Sequence, residues 1–405
     1  MISFNKTGFA ANSIRYTVCS IVTAGISFIV VTILARYISS EEIGKIEAFV
    51  TFGTLFQVLL LWGNESVLVN YYSKYGNRRE FSNTFKGLLR HLLPLIIIVP
   101  CIHYLSNDYD FGLLYASLVY GFLNSLKQIM NISFQLESKV TSFMRTEITF
   151  SVVMMVLCFI ILIGDRSFWV RAIATLLALL VVIILYYPHF YKDKIQGKVI
   201  DRNDIKDFYK NGSSLAVSNF ASWGIERVDR FQVNGALGMA NLGIYSIATQ
   251  FSMGAMMIGA AISRAWQPYV VKNADSNRHF ILSNIIKISI GMTAIIMVIA
   301  VIIYGYMFAF MTEMYMQSAK LAIVLCLGYA FDGIWKLYNN ILVYENKFRI
   351  ISVIIIICAL LKLVLNQLLI PQIGLLGAAF TAVGVYLVGL VFSCWYVHIK
   401  LRWFK

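Results

Sequence analysis
The chain has 405 residues, 59% of them hydrophobic and only 13% charged, with a mean hydropathy of +0.73. A soluble domain carries about 25% charged residues, so this composition lacks the polar surface that soluble domains of this total length need. The net charge is +14; in a chain this apolar the excess belongs to cytoplasmic loops and anionic lipid headgroups, and no nucleic-acid partner is called for.

Apolar runs predict membrane spans over 14–35, 46–71, 88–104, 111–135, 143–163 and 169–187, then, after a polar stretch, over 213–234, 242–262, 281–308, 319–343, 350–370 and 375–397. Most approach the roughly 20 residues a helix needs to cross about 30 Å of hydrocarbon. The first run is too long for the apolar core of a signal peptide, and Ala35-Arg36-Tyr37 is not a small-x-small cleavage site, so it reads as a first span. The expectation is an all-α, multi-pass protein of about twelve transmembrane helices in two six-helix bundles around a central cavity. Residues 1–188 form the first lobe, 189–211 a cytoplasmic linker and 212–405 the second lobe.

One set of connections holds most of the cations, including Lys74, Arg78, Arg79 and Lys86, then Lys139 and Arg145, then Lys192 to Lys210, then Lys272, Arg278, Lys347 and Arg349. The alternate connections carry mainly Arg36, Lys45, Arg166 and Arg171. The positive-inside rule then puts both termini in the cytoplasm. The outer loops 107–110, 235–241 and 371–374 are too short to hold an external catalytic domain. The six cysteines form no C-x-x-C pair, and the five histidines have no metal-ligand spacing; neither a metal site nor a cofactor is implied.

The halves look related. Glu42-Ile43-Gly44 pairs with Asn241-Leu242-Gly243, Trp62-Gly63 with Ile258-Gly259, and Phe143-Met144-Arg145 with Lys347-Phe348-Arg349. A near-constant offset of this kind marks a half-chain repeat, and an even span count per half makes it a parallel one.

Charged groups inside spans cost about 2.5–3.5 kcal/mol each and must face a cavity or a partner. The deepest are Lys362, Asp332, Lys336 and Lys127; Glu226, Arg227, Asp229 and Arg230 cluster on the seventh span. Asp332 with Lys336, and Glu226 with Arg230, are i,i+4 neighbours, so an ion pair is an alternative to a cavity role. Glu65 and Arg264 either snorkel to the interface or form a cytoplasmic gate between the halves. Lys362 has no carboxylate in its own span and reads as facing a lumen. Lys127, Arg227, Arg230, Lys336 and Lys362 outnumber the carboxylates, which favours an anionic substrate; the planar fork of Arg suits phosphate. Trp223, Phe231, Tyr329, Trp335 and Tyr338, on the same helices, are core aromatics or stacking faces for sugars.

Asp229-Arg230 followed by Leu237-Gly238 and Leu242-Gly243-Ile244-Tyr245, Ala35-Arg36 with Glu42-Ile43-Gly44, and Asn366 with Leu369-Ile370-Pro371, Gly374 and Gly377-Ala378-Ala379 carry a resemblance over the whole chain. In these segments it is similar to the polysaccharide flippases of the multidrug/oligosaccharidyl-lipid/polysaccharide exporter superfamily, and among them to the Wzx-type O-antigen transporters. The resemblance implies movement of an undecaprenyl-diphosphate-linked oligosaccharide from the inner to the outer leaflet of the bacterial inner membrane. It implies functional roles for Asp229 and Arg230, while Lys336 and Lys362 rest on the charge argument alone. It further implies cation coupling, for which Asp229, Glu226 or Asp332 would supply a protonatable carboxylate, and an O-antigen polymerase and chain-length regulator as partners beside the membrane lipids. Three rival readings are a multidrug antiporter of the same superfamily, which would want a carboxylate-rich interior for cationic drugs, a lipid II flippase, which typically has two further spans, and a membrane enzyme on lipid-linked sugars (polymerase, ligase or glycosyltransferase), which would usually carry a large outer loop.

Overall fold
In hydrocarbon no water can satisfy a backbone N–H or C=O, so a long apolar run must close its hydrogen bonds within itself as a helix. The computed structural model describes residues 6–75, 79–106, 109–194, 202–274, 278–311, 313–401 and 403, and every regular element among them is helical. The α-helices in chain order are α1 (Lys6–Tyr37), α2 (Ser40–Leu61), α3 (Asn64–Tyr75), α4 (Arg79–Ser106), α5 (Phe111–Leu136), α6 (Val140–Leu162), α7 (Trp169–Lys194), α8 (Arg202–Leu237), α9 (Met239–Asn273), α10 (Arg278–Phe310), α11 (Met316–Tyr344), α12 (Phe348–Ile373) and α13 (Leu375–Trp395). Among the described residues, ten helices are long and apolar enough to cross a membrane. The expected all-α, multi-pass fold is therefore what the chain forms. Helices α5 and α8 are long enough too, at 26 and 36 residues, but polar side chains interrupt them, and they hold Lys127 and the Glu226–Arg230 cluster.

The chain divides into two compact units. Met1–Val30 and Lys45–Phe220 make the first, and Val31–Gly44 and Ala221–Lys405 make the second. The boundary between them falls inside α8. Of the polar stretch expected as a linker, residues 195–201 lie outside the described residues, as do Arg78, Asn107, Asp108, Arg402 and Lys405; residues 189–194 end α7 and 202–211 open α8.

In the first unit α4 packs on α5, and α7 lies against both α5 and α6. The second span is broken into α2 and α3 by Trp62 and Gly63, with φ of +48° and +73°. Glycine adopts that left-handed backbone at no steric cost. The start of α8 docks on the break. The Trp62 indole donates to Ser213 Oγ at 3.1 Å, and a Cβ at Gly212 would overlap the Trp62 carbonyl.

In the second unit α11 is the central helix, packed by α9, α10 and α13, with α12 laid on α13. Trp266, Val270, Ile281, Leu337, Ile341 and Trp403 form one end of its core. Ile290, Val298 and Val301 of α10 and Leu360, Val364 and Leu368 of α12 are exposed, the apolar surface a lipid-facing helix presents. The segments around Gly44 and Gly243, matched as a repeat in the sequence, lie near the starts of α2 and α9 and pack on one another here. A Cβ at Gly44 would overlap the Met239 carbonyl, and one at Gly243 the Ser40 carbonyl. Arg36, from the same motif, donates through Nε and Nη2 to the Phe310 carbonyl at 3.2 and 3.1 Å, satisfying the end of α10.

The same turn occurs once in each unit. Ser138 and Asn346 both have φ of +55°. Lys139 N donates to Phe134 O at 2.8 Å, and Lys347 N to Leu342 O at 2.8 Å; Ser138 N reaches Gln135 O and Asn346 N reaches Val343 O. Both are Schellman ends, with one left-handed residue closing the preceding helix. The Trp62-Gly63 and Ile258-Gly259 match has no such counterpart: α9 runs unbroken through Gly259, whose missing side chain admits Gly333 of α11.

Candidate functional site
Helix α8 turns Glu226, Asp229 and Arg230 into the second unit, where α9 brings Tyr245 and α12 brings Lys362. Asp229 is 1% exposed, Lys362 2% and Arg230 8%. A carboxylate so placed must have both oxygens satisfied. Oδ1 takes Arg230 Nη1 at 2.6 Å. Oδ2 takes Lys362 Nζ at 2.8 Å and the Tyr245 hydroxyl at 2.8 Å. Arg230 Nη1 also donates to the Glu226 carbonyl at 2.5 Å, and Lys362 Nζ donates to the Ile225 carbonyl. The guanidinium lies 5.7 Å from the Tyr245 ring centroid. With all three groups ionised, one carboxylate serves two cations, and the cluster holds one net positive charge.

The same stretch of α8 borders a cavity of about 130 Å³, lined by Ile225, Glu226, Asp332, Trp335, Lys336 and Asn339 among others. Lys336 Nζ donates to Asp332 Oδ2 at 2.5 Å, the i,i+4 pair the spacing predicts. The Glu226 side chain is exposed. Trp335 is fixed by its indole N–H on Ser393 Oγ at 2.9 Å. Two carboxylates and one ammonium give this cavity a net charge of opposite sign to the buried cluster.

Lys127 lies elsewhere, in the first unit. Its Nζ meets Glu147 Oε1 at 2.9 Å and Oε2 at 3.1 Å. Asn131 Nδ2 donates to Glu147 at 2.5 Å, Thr146 donates to Asn131 Oδ1 at 2.8 Å, and Lys127 stands 4.1 Å over the Phe150 ring. Glu65 accepts from Asn219 Nδ2 at 2.8 Å within the same unit. Arg264 is exposed and Arg227 half-buried in the second unit.

The fold thus brings together Asp229, Arg230 and Lys362, and separately Glu226, Asp332 and Lys336. The cations are not bare: Lys362 and Arg230 share Asp229, Lys336 holds Asp332 and Lys127 holds Glu147. Glu147 escaped the sequence reading, although a carboxylate in the span that follows the one carrying Lys127 was a usable signal. The partnership of Tyr245 with Asp229, across 16 residues and the break at Gly238 between α8 and α9, had none.

A model of the family described as polysaccharide biosynthesis protein matches residues 9–274. The chain belongs to that family. As a polysaccharide biosynthesis protein it also matches, over residues 214–368, a model described as MatE. It is 24% identical over 418 residues to an uncharacterized membrane protein of Methanocaldococcus jannaschii, covering 93% of this chain and 81% of that protein. Its fold is similar to that of the lipid II flippase MurJ in an inward closed conformation, with a TM-score of 0.77 at 15% identity over 96% of this chain and 89% of that one. It is also similar to an inward-facing multidrug resistance MATE family transporter of the MOP superfamily, with a TM-score of 0.70 at 14% identity over 94% of each chain. This member of the polysaccharide biosynthesis family therefore shares its fold with those two proteins.

Proposed function
We propose that the chain is a flippase that carries an undecaprenyl-diphosphate-linked oligosaccharide, such as an O-antigen repeat unit, from the cytoplasmic to the periplasmic leaflet of a bacterial inner membrane by alternating access. The observation that carries this reading is the buried Asp229–Arg230–Lys362 cluster, with two cations on one carboxylate inside a helix bundle. A diphosphate entering that region offers several charge-assisted acceptors, where Asp229 alone offers two oxygens. Arg230 and Lys362 would trade Asp229 for the diphosphate and return to it after release, so that neither cation is left bare in either state. Asp229, Glu226 and Asp332 are the carboxylates through which a coupling cation would act, and a polymerase and chain-length regulator would take the product on the outer face.

Deleting the gene should abolish surface polysaccharide while lipid-linked units accumulate on the inner leaflet. If single units still reach the outer face and only chain length is lost, the chain is an enzyme of polymerisation and not a flippase. Replacing Lys362 or Arg230 with Ala should cut flipping at unchanged protein level; full flipping by both variants overturns the exchange of cations.

A further inference from the structure
The cavity beside the buried cluster differs from it in sign and in chemistry. Glu226 and Asp332 supply acceptors, Lys336 and the Asn339 amide supply donors, and Trp335 and Tyr386 supply ring walls. The Glu226 carboxylate makes no ion pair and no side-chain hydrogen bond among the described residues, so its full accepting capacity is unspent. Lys336 uses only Oδ2 of Asp332. Asn339 accepts from Ser393 Oγ at 3.2 Å through Oδ1, which points its amide N–H groups away from that contact. The Trp335 ring is backed by Gly389, where a Cβ would touch its carbons; the missing side chain seats the indole at a fixed depth.

A phosphate meets two carboxylates against one ammonium and is repelled. A drug-sized ligand needs roughly 300–1,000 Å³, at least about twice the volume here. A pyranose ring has one apolar face for an aromatic wall and a rim of hydroxyls that both donate and accept, which matches carboxylates, an amide and an ammonium set around aromatic walls.

We propose that this cavity is a sugar subsite that takes a single pyranose of the lipid-linked saccharide, with Glu226 and Asn339 as its hydroxyl-reading groups. The inference rests on the flippase reading and divides the headgroup between two places, with phosphate at the Asp229 cluster and sugar at the cavity.

The test uses the full chain in nanodiscs with three probes: undecaprenyl diphosphate, the same lipid bearing one N-acetylglucosamine, and tetramethylammonium, a cation small enough for the cavity. A ring face and paired hydroxyls are common to pyranoses, so one such sugar suffices. Glu226→Gln and Asn339→Ala, both at the cavity lining, should each weaken binding of the sugar-bearing lipid by about tenfold, the scale of one hydrogen bond to a charged or buried partner. Both should leave undecaprenyl diphosphate within about twofold, and Glu226→Gln should leave the thermal transition unshifted. Equal binding of both lipids by the parent chain, with neither affected by the variants, overturns the sugar subsite. So does loss of tetramethylammonium binding in Glu226→Gln with the sugar lipid unchanged, which would make the cavity a cation site. In both cases restored surface polysaccharide in a deletion strain keeps the flippase reading standing. If the parent chain binds neither lipid and restores nothing, the flippase reading fails and the subsite with it.

Discussion

Asp229 is the residue on which the most depends, because it compensates two cations while each of them compensates only part of it. Removing one partner of a buried ion pair leaves an uncompensated charge, at a cost of about 3–5 kcal/mol. Asp229→Asn strands both Arg230 and Lys362 and should lower the thermal transition in detergent far more than Lys362→Met, which leaves the Asp229–Arg230 pair neutral. Equal losses would mean that Lys362 and Asp229 do not share a site. The pair in the first unit gives the opposite pattern. Lys127→Met and Glu147→Gln should each destabilise, and the double variant should recover part of the loss, because the second change removes the charge the first one stranded. At this scale the sequence showed which residue types had to find partners, since an ionised group in an apolar span is costly anywhere in the chain. It did not show the partners. Lys362 has no carboxylate on its own helix, and Asp229 lies 133 positions away in sequence.

Among the elements, the paired turns after α5 and α11 are the parts whose geometry local sequence controls most directly. Ser138 and Asn346 sit in a left-handed conformation that a glycine adopts without strain. Ser138→Gly and Asn346→Gly should therefore be neutral or raise the thermal transition, Ser138 the more so because Asn tolerates that region better, whereas Ser138→Val should lower it. Gly63 is a stricter case. Its φ is +73°, and a Cβ there would overlap the Ala216 nitrogen and the Gly212 carbonyl. Gly63→Val should cost more stability than Gly63→Ala, and both more than Gly→Ala at Gly254, where a Cβ meets nothing within 4 Å. The repeat in the sequence located the starts of α2 and α9 near Gly44 and Gly243 and the helix starts near Phe143 and Phe348. It misled at Gly259, because a glycine that admits a neighbouring helix looks the same in sequence as one that breaks its own.

For the whole molecule, the positive-inside rule makes a prediction that depends on no side-chain contact. A green fluorescent protein fused after Lys405 should fluoresce, and alkaline phosphatase at the same place should be inactive, because each matures on one side of the membrane only. The reverse outcome would invert the cation count of the loops. The twelve long helices among the described residues, their all-helical class and the membership of the polysaccharide biosynthesis family follow from features written along the chain. Hydropathy is a local property, and in lipid it leaves a backbone one structure to adopt. The assignment of charges to partners, the cavity beside Glu226 and the place within α8 where one compact unit gives way to the next are not local. They depend on which helix faces come together, and similar apolar faces offer many packings of nearly equal hydrophobic gain. The few polar groups that must meet select among them, and only the folded arrangement records the selection.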